Sequence, residues 1–256
     1  MNFAFPSDAT SVAHHVSIKG VKVSVIVPTK SEAANLPIVL PRIPGWVHEL
    51  ILVDGNSADG TVEVAKRLRP DVIVVPQDRP GKGAALRCGF AAARGDIVVT
   101  LDADGSADPG EMPLFVGALL AGHDVAKGTR FAQGGTSEDI TVIRRLGNWF
   151  LELVAKLLFG GHFTDLCYGY NAFWRDKLAV LDLEGADGFE IEAVMQVEAL
   201  KAGLNICEVP SVELPRISGH SKLHAVRDGF RILGAMIAHR MRKRRNARTG
   251  RTGNPS

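Results

Sequence analysis

Cysteine is scarce in this chain. Cys88, Cys167 and Cys207 are three among 256 residues, odd in number and widely spaced. That argues against a disulfide framework or a cysteine zinc site, and fits reduced thiols in a cytoplasmic protein. Long apolar runs are also missing. None reaches the roughly 18 residues needed to span a bilayer. The N-terminus lacks a basic segment followed by an apolar stretch, so no signal peptide is expected. A soluble or peripheral protein follows. Net charge is only +2, which sets aside nucleic-acid binding by bulk charge. The eight histidines show no metal-ligand spacing.

The hydrophobic content of 46% is enough for a sizeable core, and the length allows one large α/β domain. Charge is uneven: from Arg240 to Arg251 there are seven basic residues and no acid. This tail reads either as a solvated end or as a peripheral anchor to anionic lipid.

Apolar, β-branched runs at 21–27, 49–53, 71–75 and 97–101 read as strands, with a fifth starting at 124–126. Pro28 is expected to end the first. Helices are expected to open at Ser31 and to span Thr61–Leu68 and Gly83–Ala93. Strands alternating with helices imply βαβ units and a mostly parallel sheet. In the second half, Ile143, Leu146, Phe150, Leu153 and Leu157 recur at helical spacing. Glu190–Ala202 reads as a helix stopped by Gly203, Ile206–Val209 as a strand ended by Pro210, and Leu223–His239 as an amphipathic helix. Residues 1–20 carry little periodicity and read as a loose arm.

The run Ile97–Leu101 delivers Asp102 and Asp104 at its end, and Gly105 opens a turn. In extended chain, residues i and i+2 share a face, and two hard oxygens there suit Mg²⁺ or Mn²⁺ bound to phosphates. In open parallel sheets ligands bind outside the carboxyl ends of strands. Pro28, Asp54 and Asp102 all lie at such ends, which makes them one expected site. Asp54 suits an N–H of a nucleobase, whereas Asp59 is read as a cap of the helix at Thr61. Lys82 enters a helix between Gly81 and Gly83, a place for an anion. The pattern is neither a Walker A loop nor a dinucleotide fingerprint, because Leu86 takes the third glycine position.

Taken in order, VSVIVPTKSEAANL, ELILVDGNSADGT, PGKGAALRCGF, GDIVVTLDADGSADP, KGTRFAQGG, FTDLCYGYNAFWR, GFEIEAVM and EVPSVELPRISGHSKL cover about residues 21–225. This series resembles family 2 glycosyltransferases of the GT-A fold, and within them the dolichol-phosphate mannosyltransferase-like, polyprenyl-phosphate group. The resemblance implies a single α/β GT-A domain at 21–225, followed by an amphipathic helix and basic tail at 226–256. It implies inverting transfer from a nucleotide-sugar donor to a lipid phosphate, at the cytoplasmic side of a membrane. Donor binding is implied for Pro28, Glu32, Asp54, Lys82, Asp102, Ala103, Asp104, Arg216 and Lys222. Asp102 and Asp104 would hold the metal. Arg130, Arg144 and Asn148 would hold the acceptor, with Arg130, Arg144 and Asp165 among the catalytic residues.

The sequence departs from the family at three places. Val53-Asp54-Gly55-Asn56-Ser57 has one acid where two are common, Ser106 stands where several relatives carry glutamine, and Asn148 where some carry serine. An acceptor phosphate is already anionic and needs only positioning. A soluble hydroxyl acceptor would need a base, for which Asp165 and Glu190 are the candidates, and Asp165 reads equally as a structural residue. A sugar nucleotidyltransferase would need a Gly-rich basic loop after the first strand, which Val27–Glu32 does not supply. A non-catalytic lipid-binding scaffold would have no use for Asp102 and Asp104. Membrane contact is expected through residues 223–251.

Overall fold

The apolar runs become strands, buried on both faces except for the half-exposed run at 73–76. In the computed structural model, which describes residues 20–219 and 224–242, β1 (Val23–Thr29), β2 (Glu49–Asp54), β3 (Ile73–Pro76) and β4 (Ile97–Thr100) lie parallel in the order β3-β2-β1-β4. Between them run α1 (Leu36–Val39), α2 (Thr61–Leu68) and α3 (Lys82–Ala92). The pleat splits β1 between two cores. Val25 and Val27 pack on one face with Leu50, Val99 and Phe115; Ile26 packs on the other with Ile51, Val98 and Phe173. Burying each such side chain contributes roughly 1.5–3 kcal/mol.

The second half adds α4 (Met112–Leu120), β5 (Val125–Thr129), β6 (Thr136–Ser137), α5 (Val142–Phe159), β7 (Asn171–Trp174), α6 (Arg175–Leu178), α7 (Ile191–Ala202), β8 (Ile206–Pro210), β9 (Val212–Glu213) and α8 (Ala225–Met241). The sheet order is β3-β2-β1-β4-β7-β5-β8, with β7 antiparallel to both neighbours and β6 paired to β9 apart. This is the expected single α/β domain with a mostly parallel sheet. A third core, including Leu151, Ala155, Val197, Ile232 and Met236, joins α5, α7 and α8.

Two proline expectations are corrected. β1 runs through Pro28 to Thr29, because β4 ends at Thr100 and no neighbour remains there to need a donor. The Ile26 carbonyl accepts from Leu101 N–H on the β4 side and the Thr29 carbonyl from Gly55 N–H on the β2 side, so Pro28 faces the side β4 has left. Pro210 likewise lies inside β8, at its last residue. The helix expected at Ser31 starts at Leu36. Ser31 is left-handed (φ 58°), and residues 31–35 form the turn that carries Glu32.

Candidate active site

Asp54 is the last residue of β2. Its Oδ2 accepts from Ser57 N–H at 3.2 Å, while its Oδ1 is buried with no hydrogen-bond partner among the described groups. A sealed, unpartnered carboxylate oxygen is a place for an incoming donor. Asp59, expected as the cap, lies one residue before the N-cap Gly60, and α2 has no side-chain cap. Asp59 accepts from Thr61 N–H at 3.2 Å and from Ala33 N–H at 3.0 Å, tying the turn after β1 to the start of α2.

Lys82 opens α3. Its Nζ lies 2.6 and 2.8 Å from the two oxygens of Asp102 and 2.5 Å from Oε1 of Glu192. Burial alone would pull its pKa down. The Asp102 and Glu192 carboxylates outweigh that and hold the ammonium well above the usual lysine value. Burial also raises Glu192, with Lys82 opposing. The close fit depends on glycine: a Cβ on Gly83 would meet the Ala186 carbonyl, and on Gly81 (φ 121°) the Asp187 carbonyl.

Asp104 is held from three sides. Its Oδ1 accepts from Ser106 N–H at 3.0 Å and Oγ–H at 2.8 Å, and its Oδ2 meets Arg216 Nη2 at 2.7 Å. Arg216 also reaches Glu32 at 3.7 Å. Ile217 N–H donates to the Asp104 carbonyl at 3.2 Å and Asn35 Nδ2 to the Ser218 carbonyl at 3.3 Å, so the segment lies across the strand ends. Pro28, Glu32, Lys82, Asp102, Ala103, Asp104 and Arg216 line one cleft of about 280 Å³, with Asp54 beside it. The Asp54 carbonyl accepts from Gln77 N–H at 2.9 Å. Gln77 and Phe189 also line the cleft, and Glu192 braces Lys82 from beneath; these three were missed. Phe189 and Glu192 left a signal, as the aromatic and the second acid of GFEIEAV, and Gln77 left none.

Three expected residues lie elsewhere. Arg130 is 4% exposed. Its Nε and Nη2 meet Asp165 at 2.6 and 3.0 Å, and Nη1 meets both Glu213 oxygens at 3.1 Å. Asp165 is fully buried and also accepts from Arg130 and Cys167 N–H, both at 3.2 Å. Both are buried in an internal clamp in this ligand-free arrangement, where Arg130 joins two carboxylates and Asp165 is closed off from the surface. Asn148 is likewise buried. Its Oδ1 accepts from Leu166 N–H at 3.1 Å and its Nδ2 donates to Glu152 at 2.5 Å, which fastens α5 to the 165–168 segment. Glu190, the other candidate base, is 4% exposed, accepting from Gly188 N–H at 2.8 Å with Arg231 3.7 Å away.

Arg144 stands apart from these. It lies in the first turn of α5, 3.7 Å from Asp139. With Ile143, His224, Val226 and Arg227 it lines a second, open hollow of about 580 Å³ where α5 and α8 begin. Lys222 and the basic run 243–251 lie outside the described residues.

Among the described residues no three His, Cys, Asp or Glu side chains are placed to cage a metal. Asp102 and Asp104 offer hard oxygens from one strand end, which suits a cation that takes its other ligands from phosphates and water. The donor set therefore fits Mg²⁺ or Mn²⁺ brought together with a diphosphate.

The family model for glycosyl transferase family 2 matches residues 24–181, the whole span from β1 to the segment after α6. The chain belongs to that family. It is a glycosyltransferase, and its fold is GT-A. A polyprenol monophosphomannose synthase of Mycolicibacterium smegmatis is 34% identical over 212 residues, covering 78% of this chain and 80% of that protein. An undecaprenyl-phosphate mannosyltransferase of Micrococcus luteus is 32% identical over 213 residues, covering 79% and 87%. Among solved structures, glucosyl-3-phosphoglycerate synthase from Mycobacterium tuberculosis, in complex with Mn²⁺, UDP and glucosyl-3-phosphoglycerate, superposes with TM-score 0.70 at 25% identity, covering 94% of this chain and 86% of that one. This family 2 glycosyltransferase thus counts polyprenyl-phosphate mannosyltransferases among its relatives. No helix among its described residues is long and apolar enough to cross a membrane.

Proposed function

We propose that this glycosyltransferase moves a sugar from a nucleoside diphosphate sugar to a polyprenyl phosphate. The observation that carries the choice of acceptor is the burial of both candidate bases. Asp165 is locked to Arg130 and Glu190 is sealed under α8. A hydroxyl acceptor needs a base to remove its proton. A phosphate monoester arrives as an anion and needs only orientation. The polyprenol- and undecaprenyl-phosphate names of the relatives agree with this reading.

In this reading Asp54 takes an N–H of the nucleobase with its open oxygen. Asp102 and Asp104 hold Mg²⁺ or Mn²⁺, which when bound neutralises charge on the leaving diphosphate. Lys82 and Arg216 supply fixed positive charge at the same place, and Arg216, seated across the strand ends, shields the diphosphate from water. Arg144, in its half-apolar hollow, takes the acceptor phosphate with a guanidinium fork. The acceptor oxygen bonds to the anomeric carbon as the bond to the diphosphate oxygen breaks, with inversion. Such an acceptor is embedded in lipid, so the enzyme works at a membrane surface, with its donor on the cytoplasmic side.

The test is nucleoside diphosphate release from GDP-, UDP- and dTDP-sugars with Mn²⁺ or Mg²⁺, with and without a short polyprenyl phosphate. Release that depends on the lipid phosphate is the expected result. Release indifferent to it, but raised by soluble phosphorylated or hydroxyl acceptors, would move the acceptor out of the membrane.

A further inference from the structure

An ammonium group has three N–H donors, and the Lys82 ammonium has an acceptor for each. Two are the Asp102 oxygens, at 2.6 and 2.8 Å from Nζ; the third is Oε1 of Glu192, at 2.5 Å. The two partners are placed differently. Asp102 follows β4 and lines the cleft, with its side chain 30% exposed. Glu192 lies in the first turn of α7, beneath the cleft, with its side chain 6% exposed. A carboxylate buried that deeply is costly without its cation. The Lys82–Glu192 contact is therefore the fixed part of the cluster, and the Lys82–Asp102 contact is the part that can open. The junction has no spare room: a Cβ on Gly169 would lie 2.7 Å from Asp102 Oδ2, 2.7 Å from Lys82 Nζ and 2.8 Å from Glu192 Oε1. Gly169 is held there by its carbonyl, which accepts from Thr100 Oγ1 at 2.8 Å.

All four oxygens of the aspartate pair have partners within the protein. Both of Asp102's are on Lys82, and Asp104's are on Ser106 and Arg216. A divalent cation at Asp102 has to compete with the lysine for the same oxygens. When Lys82 yields them it does not leave the site, because Glu192 keeps one of its donors. The other two N–H groups then face the cleft without an acceptor, a strong demand for an anion with more than one oxygen. A diphosphate meets that demand. Metal and diphosphate are thus coupled through one ammonium: each makes room for the other.

We propose that Glu192 is a positioning residue: anchored under Lys82, it keeps the ammonium in place while Asp102 passes from lysine to metal, so that Lys82 exchanges Asp102 for an oxygen of the diphosphate. Only ion pairs change partners in this exchange, and no covalent bond or proton is involved. Without the anchor, the lysine is a charge on a flexible four-carbon stem, free to stay on Asp102 or to swing into solvent. The inference deepens the donor reading given above and rests on it. A purely structural Glu192 would make the same contribution to the fold, and none that depends on Lys82 to the ligand.

The experiment is a double-mutant cycle on the full chain, read by calorimetric titration with Mn²⁺ alone and with UDP and GDP in the presence of Mn²⁺. The proteins are wild type, Glu192→Gln, Lys82→Met and the double variant. Glu192→Gln is expected to lose about tenfold or more in diphosphate affinity when Lys82 is present, and less than about threefold when Lys82→Met is already in place. The double variant removes one charge of each sign and so keeps the net charge of the site. It is expected to bind Mn²⁺ alone about tenfold tighter than wild type, because Asp102 is released, while binding the diphosphates more weakly. Equal losses from Glu192→Gln in both backgrounds would overturn the proposal, and so would a double variant that binds Mn²⁺ alone no better than wild type. If Lys82→Met does not fold, Gly169→Ala takes its place, since it spreads the cluster and alters no charge. It is expected to weaken diphosphate binding about tenfold or more, and unchanged binding would overturn the exchange. Wild type that binds neither diphosphate with Mn²⁺ would remove the donor reading and this proposal together, whereas tight binding with an additive cycle would remove the proposal alone.

Discussion

Replacing Asp54 by asparagine is expected to weaken donor binding without weakening the fold. The two carboxylate oxygens differ: Oδ2 is taken by Ser57 N–H at 3.2 Å and Oδ1 is buried without a partner. A hydrogen bond to a charged acceptor contributes about 1.5–3 kcal/mol, which corresponds to roughly 10- to 150-fold in affinity. Asparagine has one oxygen for these two places. If its NH₂ turns to Ser57, two donors face each other there; if it turns outward, it faces the N–H of the base. Either way one bond is lost. The unpartnered oxygen gives nothing to the ligand-free fold, so the melting temperature should stay within about 2 °C, the shift expected from less than 1 kcal/mol in a chain of this size. The assay is calorimetric titration of full-length protein with UDP and GDP in the presence of Mn²⁺, alongside thermal unfolding. If Asp54→Asn binds every nucleotide within threefold of wild type, the role drawn from the open oxygen is wrong.

Three more outcomes are expected. Asp104→Asn should cut turnover by about 100-fold or more, from loss of several kcal/mol of metal-borne stabilisation, with a circular dichroism spectrum like wild type; full activity in excess chelator would remove the metal role. Arg130→Met leaves Asp165 and Glu213 buried without their partner, so it should cost about 3–5 kcal/mol and lower the melting temperature by roughly 6–20 °C, and an unchanged melting temperature would contradict the clamp. Glu152 is pushed up to about 8, first by burial and then by Asp165 and Glu208. Its folded state therefore holds a proton that the unfolded chain releases near the ordinary glutamate value, so this group's contribution is full at low pH and is lost as pH rises toward 8. Because Glu152 is only half-buried, solvent reduces the effect to about 1–2 kcal/mol. Glu152→Gln, whose amide oxygen can still accept from Asn148, should raise the melting temperature at pH 8.5 and leave it nearly unchanged at pH 5, as calorimetry would show.

β1, β2 and β4 were legible because each is buried on both faces and so reads as an unbroken apolar run, and β3, a half-exposed edge strand, was legible from its β-branched residues. The Thr61–Leu68 helix was read to the residue. β7 was not seen: it is four residues long and begins at Asn171, whose buried amide is satisfied by Gln196 at 3.1 Å from another element. The cleft was legible because strand ends gather by topology, so Pro28, Asp54 and Asp102 needed no side-chain knowledge to be grouped. The reading failed where pairing is set by tertiary contact. Nothing local joins Arg130 to Asp165 and Glu213, 35 and 83 residues away. The spacing on α5 correctly marked a helix, yet periodicity does not say which stripe meets the core.

β7 is also the one strand that joins the two parts of the sheet, since β4 and β5 reach each other only through it. Strands β1 to β4 are complete once Thr100 has been synthesised, but the edge of β4 has no partner until Trp174 follows. At about 5–20 residues per second, the growing chain carries an open, apolar strand edge for roughly 4–15 seconds. During that interval the nascent protein is a template for the wrong neighbour, and its yield in the cell depends on whatever covers that edge before β7 arrives.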